Sequence, residues 1–264
     1  MSHRPGFPVR MDLSPGKPRV ARTSPAPEGN ASAAAQSVRP GGIPRGIGLD
    51  SQAVRSRMVQ RLVAQGIADP KVLAAMQAVE RHRFVDSALV NQAYEDTSLP
   101  IGLGQTISKP NVVARMIELL LGGTRQASGR LGRVLEIGTG CGYQAAVLSV
   151  VATEVYSIER LRGLHDKARA NLRPFRLANV HLLFGDGMAG YAKGAPYAGI
   201  IAAAGGEAVP PAWIEQLAVG GRIVAPTLMP DGKQALVMME KTPSQMKQTA
   251  LEAVHFVPLK SGIA

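Results

Sequence analysis

The sequence predicts an α/β protein, a doubly wound and mostly parallel sheet with helices on both faces and antiparallel strands at one edge. Three observations predict it. Short apolar runs alternate with helical patterns from Val134 onward. The first run, Val134-Leu135-Glu136-Ile137, passes into Gly138-Thr139-Gly140-Cys141-Gly142 and straight on into a helical stretch from Tyr143. The second ends in an acid, Glu159, about twenty residues beyond Gly138, the spacing at which a carboxylate meets ribose hydroxyls in such folds.

Taken in order, residues 1–50 hold eight of the nineteen prolines and no periodic apolar pattern, which predicts a disordered tail. Its arginines and few acids suit an organelle transit peptide, but its proline density argues against the amphipathic helix such a peptide needs. Order is expected from about residue 51, in one domain running to residue 264. Val54, Met58, Val59, Leu62 and Val63 mark one face of a helix over residues 51–64, which Gly66 ends. Asp69-Pro70 supplies an N-cap and a first-turn proline for a second helix with Val72, Leu73, Met76 and Val79 inside. His82, among charged neighbours, reads as a surface or capping residue.

Residues 93–110 lack periodicity and carry glycines, prolines and small hydroxyl residues, the composition of a functional loop. An apolar helix over residues 111–121 follows, stopped by Gly122-Gly123. The sheet then reads as strands at 134–137, 155–158, 181–184 and 199–204, with a helix over 161–172 and another over 210–217 that carries Trp213. Gly220-Gly221 is expected to turn the chain into a strand at 222–225. Residues 235–240 and 249–259 are expected to form an antiparallel pair at the sheet edge.

Composition narrows the function. The chain has 264 residues, 30 Lys and Arg against 19 Asp and Glu, and a net charge of +11. Residues 1–50 carry +4 of it, and the rest is spread without a dense block. A basic chain can meet nucleic acid through phosphates, but no aromatic and basic platform for single strands is present, so no specific nucleic-acid partner is expected. The single cysteine, Cys141, excludes an intramolecular disulfide and a cysteine metal cluster and points to a reducing, cytoplasmic setting. No apolar run approaches the length of a membrane span, and the N-terminus lacks the apolar core of a secretory signal. A monomer is expected, because no exposed heptad or apolar stripe is evident.

The glycine pattern is Gly-x-Gly-x-Gly, not the Gly-x-Gly-x-x-Gly that grips a pyrophosphate. Glu136 at the strand end would repel a phosphate and suits a ligand with a positive centre. S-adenosyl-L-methionine, with an ammonium and a sulfonium, fits.

Together, the glycine turn, Glu159 and Gly185-Asp186-Gly187 resemble a class I S-adenosylmethionine-dependent methyltransferase, with its Rossmann-like fold. Tyr94-Glu95-Asp96, Leu99-Pro100-Ile101-Gly102, Gly104-Gln105-Thr106-Ile107-Ser108 and Val254-His255-Phe256-Val257-Pro258-Leu259 resemble the protein-L-isoaspartate O-methyltransferase family specifically. The resemblance covers residues 51–260. It implies methylation of the free α-carboxylate of L-isoaspartyl residues in damaged proteins and peptides, leaving S-adenosyl-L-homocysteine. Carried over by residue, Gly138, Thr139, Gly140 and Gly142 wrap the cofactor and Glu136 sits near its methionine end. Glu159 holds the ribose hydroxyls, Asp186 meets the adenine amino group and Gly187 allows close approach. Thr106 and Ser108 lie beside the substrate carboxylate, Ser108 in the catalytic position. No metal is implied.

Three positions depart from the family pattern. Ala198 stands for a usual aspartate, Ala203 for a common threonine and Cys141 for a usual serine, all expected on the cofactor and substrate side of the sheet. Two alternatives follow: a methyltransferase for another acceptor, and a catalytically weak relative that binds the cofactor. Against a nucleic-acid acceptor, the Asp/Asn-Pro-Pro-Tyr/Phe block that serves exocyclic amines is missing.

Overall fold

The computed structural model describes residues 52–123 and 129–264; the expected tail over residues 1–50 lies outside them. Helix α1 (Gln52–Ala64) buries Met58 and Leu62, and α2 (Pro70–Ala78) buries Val72, Ala75 and Met76. Asp69 caps α2 as its position before proline predicts, accepting the Lys71 and Val72 N–H groups at 2.8 and 3.3 Å. Two short 3-10 turns, Arg81–Phe84 and Ser87–Gln92, lead into the long loop.

That loop is not wholly irregular. It folds a two-stranded antiparallel hairpin, β1 (Leu99–Gly102) and β2 (Gln105–Ile107), around Gly102-Leu103-Gly104. All three turn residues have positive φ, and the two glycines make that turn accessible. The strands are too short to show an alternating pattern in the sequence. Helix α3 (Pro110–Leu121) follows.

The main sheet comprises β3 (Leu131–Ile137), β4 (Ala152–Glu159), β5 (Val180–Phe184), β6 (Tyr197–Ala202), β7 (Leu217–Leu228), β8 (Gln234–Lys241) and β9 (Met246–Ala253). Its order is β5-β4-β3-β6-β7-β8-β9, with the first four pairings parallel and the last two antiparallel. Central β3 is covered on both faces, which is why its run is almost continuously apolar. Burying Val134, Leu135 and Ile137 contributes roughly 1.5–3 kcal/mol each. Helices α1 to α3, α4 (Tyr143–Val151) and α5 (Arg162–Leu172) pack on one face. The other face is covered by α6 (Pro211–Gln216), with Trp213 in its core, and by 3-10 turns.

Two expectations are corrected. Gly220-Gly221 do not turn the chain; β7 runs through them as a bulge, since Tyr197 pairs with Leu217 but Gly199 pairs with Arg222. Gly220 takes φ +81° there. The final strand starts at Met246 and ends at Ala253 instead of spanning 249–259. Beyond it, the Gln234 side chain accepts the Phe256 N–H at 2.7 Å and draws the chain out of the sheet, and Pro258 has no N–H to continue a ladder.

The chain leaves β3 towards β4 and β5 on one side and returns to β6 on the other. This reversal opens a crevice at the carboxyl ends of β3 and β6, where doubly wound sheets hold ligands. Among the described residues no helix is long and apolar enough to cross a membrane.

Candidate active site

A cavity of about 430 Å³ occupies that crevice, within the range that holds small ligands. Its floor is the end of β3 and the turn after it. The Gly138 and Thr139 N–H groups donate to Ile158 O at 2.9 and 3.2 Å, which folds the turn back onto β4. Gly138, Gly140 and Gly142 have φ of +86°, +58° and +91°. A Cβ at Gly142 would lie 3.0 Å from Leu172 on α5, so that glycine lets α4 start against its neighbour helix, away from the main cavity.

Glu159 closes one side and is 5% exposed. Its Oε2 accepts the Gly140 N–H and its Oε1 the Leu161 N–H, both at 2.9 Å. Such a carboxylate is held in place by backbone alone and can accept further hydrogen bonds from the cavity. Arg160 and Lys260 carry positive charge on the same wall.

Gly187 lines the cavity, and a Cβ there would sit 2.5 Å from Ile137 Cγ2, closer than real atoms approach. The Trp213 indole N–H fixes its carbonyl at 2.8 Å. Asp186 is turned aside. Its Oδ1 accepts the Met188 N–H at 2.9 Å and its Oδ2 the Gly262 N–H at 2.7 Å, and its side chain lines an adjoining cleft with Ile158 and Phe184.

Glu136 lies beneath the turn and not on the main cavity wall; it is wholly buried. The Ser157 hydroxyl bonds its Oε2, and Ser157 Oγ lies 2.6 Å from Thr139 Oγ1. Burial pushes the Glu136 carboxyl up to about 8, against the pull of the Ser157 and Gln144 side chains, and the neighbouring Glu159 charge pushes the same way.

Thr106, on β2, reaches the main cavity, and Thr106, Ser108, Thr139 and Cys141 line a small space of about 40 Å³ beside it. Among the described residues no hydrogen bond engages the Thr106 or Ser108 hydroxyl. Cys141 is buried, and burial raises its thiol to about 11, which disfavours a thiolate nucleophile.

The family model described as "Protein-L-isoaspartate(D-aspartate) O-methyltransferase (PCMT)" matches residues 53–264. The chain belongs to this family. The protein-L-isoaspartate O-methyltransferase of Methylibium petroleiphilum is 56% identical over 98% of this chain and 96% of its own length. That of Leptothrix cholodnii is 54% identical over 96% and 90%. A solved structure of a protein-L-isoaspartate O-methyltransferase superposes with a TM-score of 0.70 at 28% identity, covering 79% of this chain and 67% of its own. The fold is also that of a candidate family enzyme from Plasmodium falciparum solved with S-adenosyl-L-homocysteine, at a TM-score of 0.65 and 22% identity, covering 78% of this chain and 98% of its own.

The family's departures fall in different places. Ala203 sits on the walls of both spaces, its N–H donating to Ile137 O at 2.8 Å. Ala198 lies near the start of β6, at the opposite end of the strand from the cavity, which corrects the expectation that it faces the site. Sequence reasoning missed the residues that close the cavity from above. Leu103 at the hairpin tip reaches over to Gly163 on α5, and Val257–Lys260 form a further wall. That wall is tied down by hydrogen bonds from Gly205 N–H to Val257 O and from Leu259 N–H to Gly205 O, both 2.8 Å. Both stretches lie within or directly beside the family-specific sequence blocks, which was the available signal.

Proposed function

We propose that the protein transfers a methyl group from S-adenosyl-L-methionine to the α-carboxylate of L-isoaspartyl residues in damaged proteins and peptides. The methyl ester then closes spontaneously to a succinimide, which partly reopens to normal aspartate. The observation that carries this reading is the small space beside the cavity, where the uncharged, unengaged hydroxyls of Thr106, which lines both spaces, and Ser108, which lines the small one, stand beside the glycine turn.

The large cavity fits the cofactor's donor pattern. Gly138, Gly140 and Gly187 allow close approach, and the fixed Glu159 carboxylate suits vicinal ribose hydroxyls. Thr139 supports the turn through Ser157, Gly142 sets the start of α4, and Glu136 places a carboxyl beneath the methionine end. Asp186 meets the adenine edge from the adjoining cleft. When bound, the cofactor supplies an electrophilic methyl on sulfonium.

The acceptor carboxylate is already ionised near neutral pH, so the site needs no strong base. Ser108 orients that carboxylate by donating a hydrogen bond, and Thr106 supports it from the exposed side. Aligning nucleophile and methyl in this way can supply roughly 7–11 kcal/mol of the barrier. The partner class is any unfolded or flexible segment carrying L-isoaspartate. A reducing, cytoplasmic setting agrees with a lone, buried cysteine.

The test is transfer of labelled methyl to two peptides that differ only in L-isoaspartate against aspartate. Base-labile label on the isoaspartyl peptide alone is expected. Label on both or on neither would remove the assignment.

A further inference from the structure

The first turn of α3 follows directly on Ser108, and Lys109, at the N-cap, gives that helix no side-chain bond. Pro110 has no N–H, so the first backbone donor of the helix belongs to Asn111. It donates to Asp96 Oδ1 at 2.9 Å, across 15 residues of chain. Asp96 Oδ2 accepts from Gln65 Nε2 at 3.2 Å and faces Lys109 Nζ at 3.9 Å. Gln65 Oε1 in turn accepts from Asn111 Nδ2 at 3.0 Å. The Asp96 carboxylate therefore grips both sides of Pro110, and Ser108 is the next residue out.

The stretch before Asp96 is itself anchored. The Arg61 guanidinium donates to Tyr94 O and pairs with Glu95. Tyr94 is buried, with its hydroxyl 2.7 Å from His82 Nδ1. A helix N-terminus is stabilised by a carboxylate acceptor, and here the acceptor comes from a distant loop instead of from the local cap position. With no hydrogen bond on the Ser108 hydroxyl among the described residues, the backbone placement of Ser108 decides where that hydroxyl points.

We propose that Asp96 is a positioning residue for the methyl transfer, setting Ser108 through the first turn of α3. The inference rests on the role given to Ser108 above.

The test is a double-mutant cycle of Asp96→Ala and Ser108→Ala, with Asp96→Asn as a conservative control. The readouts are kcat and KM on an isoaspartyl peptide, and the Kd of S-adenosyl-L-homocysteine by calorimetry. Asp96→Ala is expected to lower kcat roughly 10- to 100-fold by misplacing the hydroxyl, with Kd unchanged. Asp96→Asn, which keeps an oxygen for the Asn111 N–H, should recover most of that loss. In the Ser108→Ala background Asp96→Ala should cost nothing further. Equal losses in both backgrounds, or a change in Kd alone, would overturn the proposal while leaving Ser108 in place. If Ser108→Ala leaves kcat unchanged, the Ser108 assignment falls and the Asp96 proposal falls with it.

Discussion

Glu159 Oε2 lies 2.9 Å from the backbone nitrogen of Gly140, which bonds the end of β4 to the turn that follows β3. The two features that identify a nucleotide-like site in the sequence are thus one hydrogen-bonded unit. The carboxylate does more than wait for ribose: it sets the shape of the turn that receives the rest of the ligand.

Glu159→Gln should therefore damage binding twice over. A glutamine keeps one acceptor oxygen but sets an NH2 against either the Gly140 or the Leu161 N–H. Loss of a charged hydrogen bond is worth about 1.5–3 kcal/mol, so calorimetry should find S-adenosyl-L-homocysteine bound roughly 10- to 100-fold more weakly. An unaltered Kd would take Glu159 out of the cofactor site.

Ser108→Ala should keep cofactor affinity and lose most of kcat, on the order of tenfold or more. Thr106→Val should cost less, because Thr106 is exposed whereas Ser108 is half-buried. Reversed magnitudes would exchange the two roles.

Glu136 predicts a pH effect. Its carboxyl titrates near 8 in the fold against an ordinary 4.5. Between those values the folded state holds a proton that the unfolded chain has lost, so stability falls as pH rises, on the order of 1 kcal/mol per unit. The loss is complete once pH passes the folded value. Glu136→Gln removes this slope and still accepts from Ser157. Urea titrations at pH 6, 7 and 8 should show the variant gaining on the parent at each step; a constant gap would mean that Glu136 is ionised throughout.

Gly187→Ala forces a methyl against Ile137 Cγ2, part of a β-branched side chain on the central strand with little room to turn. Overpacking of this kind costs about 1–3 kcal/mol. A lower Tm together with weaker cofactor binding is expected, since both residues line the cavity. A parental Tm would show that Ile137 gives way.

The sheet was legible because β3 and β4 are covered on both faces and carry the apolar runs and chain breaks that this demands. The glycine turn and Glu159 were legible because their spacing is set by the ligand crevice. The orientation of Asp186 was not legible, since it depends on the Met188 and Gly262 N–H groups, the second of them 76 residues away. Gly220-Gly221 look alike as a turn or a bulge; only the partner strand decides. The hairpin at 99–107 and the wall at 257–260 have too few residues for a period, and contacts distant in sequence hold them in place. Asp96 was visible as part of a family block, but not as the cap of a helix that begins fourteen residues later.

The cavity draws its walls from residues as far apart as Ile101 and Lys260. During synthesis, the glycine turn and Glu159 emerge well before the stretch that completes the enclosure. A nascent chain therefore carries the recognisable half of the site before the residues that enclose it. Domains complete their packing as units, and a ligand stabilises only the state that binds it. A ligand held in this cavity therefore adds its stabilisation only to chains already made through Lys260.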